Sequence, residues 1–329
     1  MIYKHKRTCI GAFLLGIIIM PLIYGDAWGD GSKRHMPTLL AKDAHYGEWV
    51  KWTDYDAAGN LWVLSFIEAT GETKITVNGL FTLWRSTQDA KPAGSANLKI
   101  ICTKTIKDFT IKTNADGKLT VNMTGRLEAI TDNGWIHYLQ ISPEGACSWI
   151  HDPAVKGVQF YTVGNDGDAW ALSDSARQQV PAPHWQSWRR TKNGTWEAKQ
   201  GWDIRCIAAC NGRALMISNW GWIWEWNYQE NNWDRIKHAG AIKHIAFGPT
   251  SFLWSVSAAG IGSWRLGADS NWVATGGENL QIISLGATPD GKEVATAITS
   301  AHLHNAPKKF QFQLIPDGIV SELHSRFYP

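Results

Sequence analysis

Residues 242–248 read IKHIAFG, and this strand-like segment opens a unit that recurs along the chain. The segment begins with an aliphatic residue, a long polar residue and a variable residue. Hydrophobic and small residues follow, and the segment often ends in glycine. Five further segments follow the template: VKWTDYD from 50, IKDFTIK from 106, VQFYTVG from 158, IRCIAAC from 204 and LQIISLG from 280. Recurrence at intervals of 38 to 56 residues predicts repeated supersecondary units with variable loops.

The unit at 242–277 contains four predicted strands separated by polar or glycine-containing turns: IKHIAFG, then FLWSV, IGSWRL and WVATG. The units from 158 and 204 repeat this order. Six such units arranged radially leave only short sheet edges, which predicts an all-β, six-bladed β-propeller of four-stranded antiparallel blades. We expect residues 47–329 to form this single domain. The outer strand of the last blade comes either from the segment 33–48 or from the C-terminal SELHSRFY.

The first 25 residues predict a cleaved secretory signal. Three basic side chains precede an apolar run from Ile10 to Tyr24, and small residues follow. The run is about 15 residues, shorter than the roughly 20 that span a membrane, so we expect no stable membrane insertion after cleavage. Removing this segment takes the formal charge from +3 to about zero. We therefore expect a secreted or periplasmic protein, with residues 26–46 as an N-terminal segment that is a candidate for closing the ring. Nucleic acid is not an expected partner.

Four cysteines remain in the predicted mature chain. Cys206 and Cys210 lie four residues apart on one predicted strand, about 13 Å at 3.3 Å per residue, which is too far for a disulfide. Buried free thiols are the expected state, and a bridge between Cys102 and Cys147 is the alternative.

Tryptophan recurs in register in these units. Of 20 in the chain, Trp62, Trp170 and Trp254 lie in the second predicted strand of their units. Glycine or Asp-Gly turns followed by LWVL, AWAL or LWSV resemble the tectonin repeat, a family of β-propeller units. The resemblance is closest from 158 to 290. It implies a lectin-like protein that binds surface glycans.

The expected glycan-binding side chains are tryptophans and their polar neighbours on the predicted third strands. Aromatic rings stack on the C–H faces of sugars, and amides bond to hydroxyls. The alternative is that these rings are packed between blades. The candidates are Asn219, Trp222, Trp224, Trp226, Trp264, Arg265, Trp185, Trp188 and Trp84.

A second recurring feature is the long polar residue at the second position of each predicted first strand. These six residues place four cations and no acid around one end of a ring, which indicates either solvated strand ends or a rim that attracts anions. They are Lys51, Lys107, Gln159, Arg205, Lys243 and Gln281.

The sequence contains no recognised catalytic or cofactor motif, so we expect a non-enzymatic protein with no cofactor and no metal site. The pair His302 and His304 is not supported by a third ligand nearby in sequence. The alternative function is a structural or protein-interaction propeller, with a protein as partner. A propeller hydrolase is the third alternative, because carboxylates from different blades can converge without a motif.

Overall fold

The computed structural model describes residues 39–43, 48–67, 70–78, 81–86, 97–113, 115, 119–142, 146–173, 186–199, 201, 204–238, 242–248, 252–266, 273–276, 280–287, 293–299 and 310–315. The predicted export signal and the pair His302 and His304 lie outside these ranges. No helix with the length and apolar character needed to span a bilayer occurs in the described ranges.

The described strands form six four-stranded antiparallel sheets and one hairpin. The first sheet is β2 (Glu48–Tyr55), β3 (Leu61–Ile67), β4 (Glu72–Val77) and β5 (Phe81–Arg85). The second is β6 (Leu98–Cys102), β9 (Glu128–Thr131), β10 (Ile136–Ile141) and β11 (Cys147–Asp152). The third is β12 (Val158–Val163), β13 (Ala169–Ser173), β14 (Gln186–Arg190) and β15 (Trp196–Lys199).

The remaining sheets follow in chain order, with one exception. The fourth is β16 (Ile204–Cys210), β17 (Arg213–Ser218), β18 (Trp222–Asn227) and β19 (Asn232–His238). The fifth is β20 (Ile242–Phe247), β21 (Phe252–Ser257), β22 (Gly262–Leu266) and β23 (Val273–Gly276). The sixth is β24 (Leu280–Ala287), β25 (Glu293–Thr299) and β26 (Phe310–Ile315), and its outer strand is β1 (Leu39–Asp43) from the start of the described chain.

These sheets make a β-propeller, because the first strand of each sheet contacts the first strand of the next, and β24 contacts β2. Hydroxyl groups join the last sheet to the first. The Thr53 and Ser284 hydroxyls lie 2.8 Å apart, and the Tyr55 hydroxyl lies 2.5 Å from that of Thr296. On the outside, β1 pairs with β26, with Ala41 opposite Phe312. Strands from the two ends of the described chain thus share one sheet.

A β-bulge interrupts the first strand of all six sheets at its second template position, where one residue is skipped in the pairing with the second strand. A bulge adds an unpaired residue and increases the local twist. The recurring long polar residue of the sequence is therefore the bulged residue of each inner strand. The bulged residues are Lys51, Lys99, Gln159, Arg205, Lys243 and Gln281.

The prediction for the second unit is wrong at its first strand. The segment IKDFTIK does not line the ring; it forms β7 (Asp108–Thr113) of a separate hairpin with β8 (Leu119–Thr124). The inner strand is instead β6, LKIIC, which fits the same template. The hairpin packs Phe109 against Trp62 at 4.9 Å between ring centroids. Lys107 is consequently not a rim residue, and Lys99 takes that position.

The described sheets bury their aromatic side chains against each other. Trp62, Trp170 and Trp254, on the second strands of three sheets, are all fully buried. An aspartate in the preceding turn region accepts the indole N–H in two of them, Asp56 for Trp62 at 2.8 Å and Asp168 for Trp170 at 3.1 Å. A buried indole N–H needs such a partner, which explains the turn acid at these two positions.

None of the four described cysteines forms a disulfide. Cys102 lies on β6 and Cys147 on β11, the two opposite edges of the second sheet. Three strand spacings of about 4.8 Å separate them, so the alternative of a bridge between them is excluded. Burial raises the pKa of both thiols, and raises that of Cys206 to about 12. They act as small apolar side chains.

Candidate functional site

A polar groove lies between the second and third sheets, with a volume of about 500 Å³. That size is typical of sites for small ligands. One wall is formed by the residues that flank the β7–β8 hairpin and by β9, β10 and β11. The other wall is formed by the end of β14 and by the turns β12–β13 and β14–β15. Its charged and hydrogen-bonding lining residues are Thr105, Arg126, Glu128, Tyr138, His151, Asp152, Arg190, Thr191 and Lys192.

A buried ion pair forms the floor of the groove and joins its two walls. Arg190 donates from Nη1 to Glu128 Oε2 at 2.9 Å and from Nη2 to Glu128 Oε1 at 2.7 Å. The Tyr161 hydroxyl also donates to Glu128 Oε2. Burial and the nearby Glu128 charge hold the pKa of Tyr161 well above its usual range, so the phenol keeps its proton. The floor is thus a fixed, fully paired network.

Strand register places these side chains. On β9, Glu128 and Ile130 alternate with Ala129, so they share one face of the second sheet. On the third sheet Arg190 pairs with Ala169 on one side and Trp196 on the other. Gly125 lets the chain enter β9, because it has φ +105 and a Cβ there would lie 2.2 Å from the Thr105 carbonyl oxygen.

Arg126 forms one side of the groove mouth. Its guanidinium carbon lies 4.1 Å from the centre of the Tyr138 ring, and its Nε lies 3.1 Å from Glu128 Oε1. Its side chain is 42% exposed. The guanidinium is therefore stacked and oriented, yet open to solvent. Lys192, on the β14–β15 turn of the opposite wall, is exposed.

Asp152 is held in place on the same wall as Arg126. It accepts from Trp196 Nε1 at 3.1 Å across the groove and from the backbone N–H of Ala154 at 3.0 Å. Both carboxylates of the groove therefore have donors already. What the groove offers a ligand is a mixture of guanidinium, ammonium, hydroxyl and imidazole groups beside one aromatic ring, which suits a ligand rich in hydroxyls.

The centre of the ring is filled. The cavity there has a volume of about 40 Å³, room for about one water molecule. The rings of Trp52, Phe160 and His244 pack within 6 Å of each other. Lys104 reaches across and donates to the Phe247 carbonyl at 3.1 Å. The middle of the ring is thus a packed core, and the groove is the better candidate site.

Two of the sequence-predicted binding tryptophans are packed between sheets. Trp226 is buried and forms a three-ring cluster with Trp170 and Trp233, with centroids 5.0 to 5.2 Å apart. Trp84 is buried beside Trp149. It lies on β5, the fourth strand of its sheet and not the predicted third, because ETKITV forms the third strand. Neither ring presents a free face for a sugar.

Other predicted residues remain partly accessible. Trp222, Trp224, Trp188 and Asn219 are half-buried. The Arg235 guanidinium carbon lies 4.5 Å from the centre of the Trp222 ring, and the Trp188 indole donates to the Ser173 hydroxyl at 3.0 Å.

The side chains of three further candidates lie outside the described part of the chain. Trp264 and Arg265 lie on β22, with their side chains outside the described part, and Trp185 lies outside the described residues. The structure brings Trp222, Trp224 and Trp226 onto one face of β18, as alternation predicts.

The groove residues were missed by sequence reasoning. Arg126 and Glu128 lie in the second unit, and the wrong first strand left that unit without a defined place in the ring. The structure, and not the sequence, shows that every residue of β9 is buried, including Glu128. A charged residue at such a position demands a partner.

Comparisons with known proteins add similarity of fold only. No protein-family model matches the sequence, and no curated protein matches it. Among solved structures, a luciferin-regenerating enzyme superposes with a TM-score of 0.49 at 10% identity, covering 85% of this chain and 96% of that one. YCF48 from Cyanidioschyzon merolae gives 0.48 at 9%, covering 83% and 97%. A virginiamycin B lyase from Staphylococcus aureus gives 0.48 at 12%, covering 87% and 90%.

Proposed function

We propose that this chain is a non-catalytic, carbohydrate-binding propeller, and that the groove between the second and third sheets is its glycan site. The observation that carries the proposal is the groove itself: about 500 Å³ of space lined by oriented donors and acceptors beside the Tyr138 ring. Sugar hydroxyls both donate and accept hydrogen bonds, and pyranose C–H faces pack on aromatic rings. Trp222 and Trp224, half-buried on the fourth sheet, are a second candidate platform.

The paired state of the groove carboxylates favours binding over catalysis. A general acid or nucleophile must be free to reach the reacting atom. Glu128 accepts from Arg190 and Tyr161, and Asp152 accepts from Trp196. Both carboxylates hold the groove walls together instead.

We propose that the propeller has six blades and that residues 47–329, together with β1, form one domain. Six four-stranded sheets and the contact between β24 and β2 support this.

We also propose that the repeats are tectonin-like. The recurring pair of a turn aspartate and a second-strand tryptophan supports that proposal. The basic and apolar composition of residues 1–25 supports export to a secreted or periplasmic location.

The test is a glycan array with the purified chain lacking residues 1–25, followed by titration of the best glycan. We expect Tyr138→Ala and Arg126→Gln each to weaken binding at least tenfold, while Trp222→Ala leaves it unchanged. Loss of binding only in Trp222→Ala would move the site to the fourth sheet. Absence of any glycan bound at millimolar concentration, with a stable protein partner recovered by pull-down, would overturn the proposal.

Protein interaction is the second candidate function, and exposed apolar turns favour it. Trp220, on the β17–β18 turn, is 74% exposed, and Ile261, on the equivalent β21–β22 turn of the next sheet, is 41% exposed. Equivalent turns of neighbouring blades lie at the same end of a propeller. If this surface holds a protein, Trp220→Ser with Ile261→Ser will abolish capture of that protein and leave glycan binding intact.

A further inference from the structure

The six bulged residues of the inner strands form a ring of polar side chains at the end of the propeller where those strands begin. Four are cations and two are amides, and none is acidic: Lys51, Lys99, Gln159, Arg205, Lys243 and Gln281. All six are half-buried. With six sheets in the ring, Lys51 and Arg205 lie on opposite sheets, as do Lys99 and Lys243. We call these six residues the bulge ring.

Contacts between sheets hold the bulge-ring side chains along the circumference. Lys51 Nζ donates to the carbonyl of Leu98, the first residue of the next inner strand, at 3.3 Å. Arg205 Nη1 makes the equivalent bond to the Ile242 carbonyl at 3.1 Å. These bonds position the cations without neutralising them, because a carbonyl carries no net charge.

Among the described residues, Asp132 is an acidic side chain that lies beside a bulge-ring cation, Lys51. Lys99 Nζ donates to the Gln159 side-chain oxygen, a neutral acceptor, at 3.3 Å. Lys51 lies 4.0 Å from Asp132, whose side chain is about half exposed. Burial lowers the pKa of both Lys51 and Lys243. Burial disfavours the charged form of these lysines, and a bound anion would offset that cost.

We propose that the bulge ring binds a compact polyanion that carries several phosphate or sulfate groups. One phosphate is too small to reach cations on opposite sheets, since even neighbouring packed sheets lie about 10 Å apart and opposite sheets lie farther. A ligand with several anionic groups around a small scaffold meets two or more of them together, and its affinity rises because the second contact is intramolecular. This site is separate from the groove and does not depend on glycan binding there.

Calorimetric titration of the chain lacking residues 1–25 tests the proposal, with myo-inositol hexakisphosphate as the probe. Inorganic phosphate and myo-inositol are the matched single-charge and neutral probes. We expect the hexakisphosphate to bind at least a hundredfold more tightly than phosphate. Lys51→Gln with Arg205→Gln should weaken binding at least tenfold. The charge-preserving pair Lys51→Arg with Lys243→Arg should retain it within threefold.

Lys107→Gln with Lys112→Gln is the control, since it removes two exposed lysines of the β7–β8 hairpin, outside the bulge ring. Circular dichroism and the melting temperature establish that each variant is folded. Equal loss of binding in the control overturns the proposal, as does equal affinity for phosphate and hexakisphosphate. Loss in Arg126→Gln with retention in the Lys51 and Arg205 variant also overturns it, because the polyanion then occupies the groove.

Discussion

The guanidinium of Arg190 donates to both oxygens of Glu128 across the boundary between the second and third sheets, at 2.9 and 2.7 Å. Both residues are buried. Removing one partner leaves a charge without water or a counter-ion, and such changes cost about 3 to 5 kcal/mol. We therefore expect Glu128→Gln to lower the free energy of unfolding by this amount in urea denaturation.

A double variant separates the ion pair from simple packing. In Glu128→Leu with Arg190→Met no buried charge remains, so we expect it to recover most of the lost stability. Glu72→Gln is the surface control, because the Glu72–Arg85 pair is exposed and should leave the denaturation midpoint unchanged. A Glu128 variant as stable as the Glu72 variant would show that the pair contributes nothing.

The fold was predictable where units lack insertions. The third, fourth and fifth units have the predicted strand order, because four short strands with polar turns leave one way to pair neighbours. The second unit failed since two segments, LKIIC and IKDFTIK, fit one template. A six-residue hairpin strand and an inner strand have the same local pattern, and only packing against the adjacent sheets distinguishes them.

The groove could not be predicted from local sequence. Its floor joins Glu128 and Arg190, 62 residues apart, on strands of different sheets. Neither residue belongs to a spaced motif, and their contact depends on which faces of two sheets meet. The tryptophan pattern predicted the inter-sheet core more reliably than a binding surface, since Trp84 and Trp226 are buried there.

Acid should destabilise the protein through His244. Burial, with Lys243 and Lys104 nearby, lowers the pKa of this imidazole from 6.5 to about 3. The unfolded chain therefore binds a proton that the folded chain does not, and stability falls as the pH drops from 6.5 towards 3. Between pH 7 and pH 4 the expected loss from this residue is about 3 kcal/mol, at about 1.4 kcal/mol per pH unit.

His244→Phe tests this assignment because phenylalanine keeps the ring contacts with Trp52 and Phe160. It removes the titrating group and the Nδ1 acceptor of the Ile283 N–H. We expect lower stability at pH 7, but a shallower loss on acidification, measured by urea denaturation at several pH values. Parallel curves for the two proteins would contradict the assignment.

Two of the predicted binding tryptophans should behave differently on truncation. Trp84 is buried with Trp149 at 5.4 Å, so Trp84→Ala should lower the free energy of unfolding by about 3 to 5 kcal/mol. Trp222 is half-buried and stacks with Arg235, so Trp222→Ala should cost only about 0.5 to 1 kcal/mol. Chemical denaturation measures both. Equal costs would mean that the two rings share one environment.

Gly286, on the first strand of the sixth sheet, permits the close approach of the first sheet. A Cβ at this position would lie 2.3 Å from Tyr55 Cγ, and Tyr55 is itself buried. Gly286→Ala should therefore destabilise the protein by about 2 to 3 kcal/mol through overpacking. The control is Gly194→Ala, where φ is +82 and no atom lies within 4 Å, so only about 1 kcal/mol of backbone strain is expected.

In a double-mutant cycle Tyr55→Ala should relieve most of the Gly286→Ala penalty, because the clash is with its ring. Additive costs in that cycle would locate the constraint in the backbone of β24 instead.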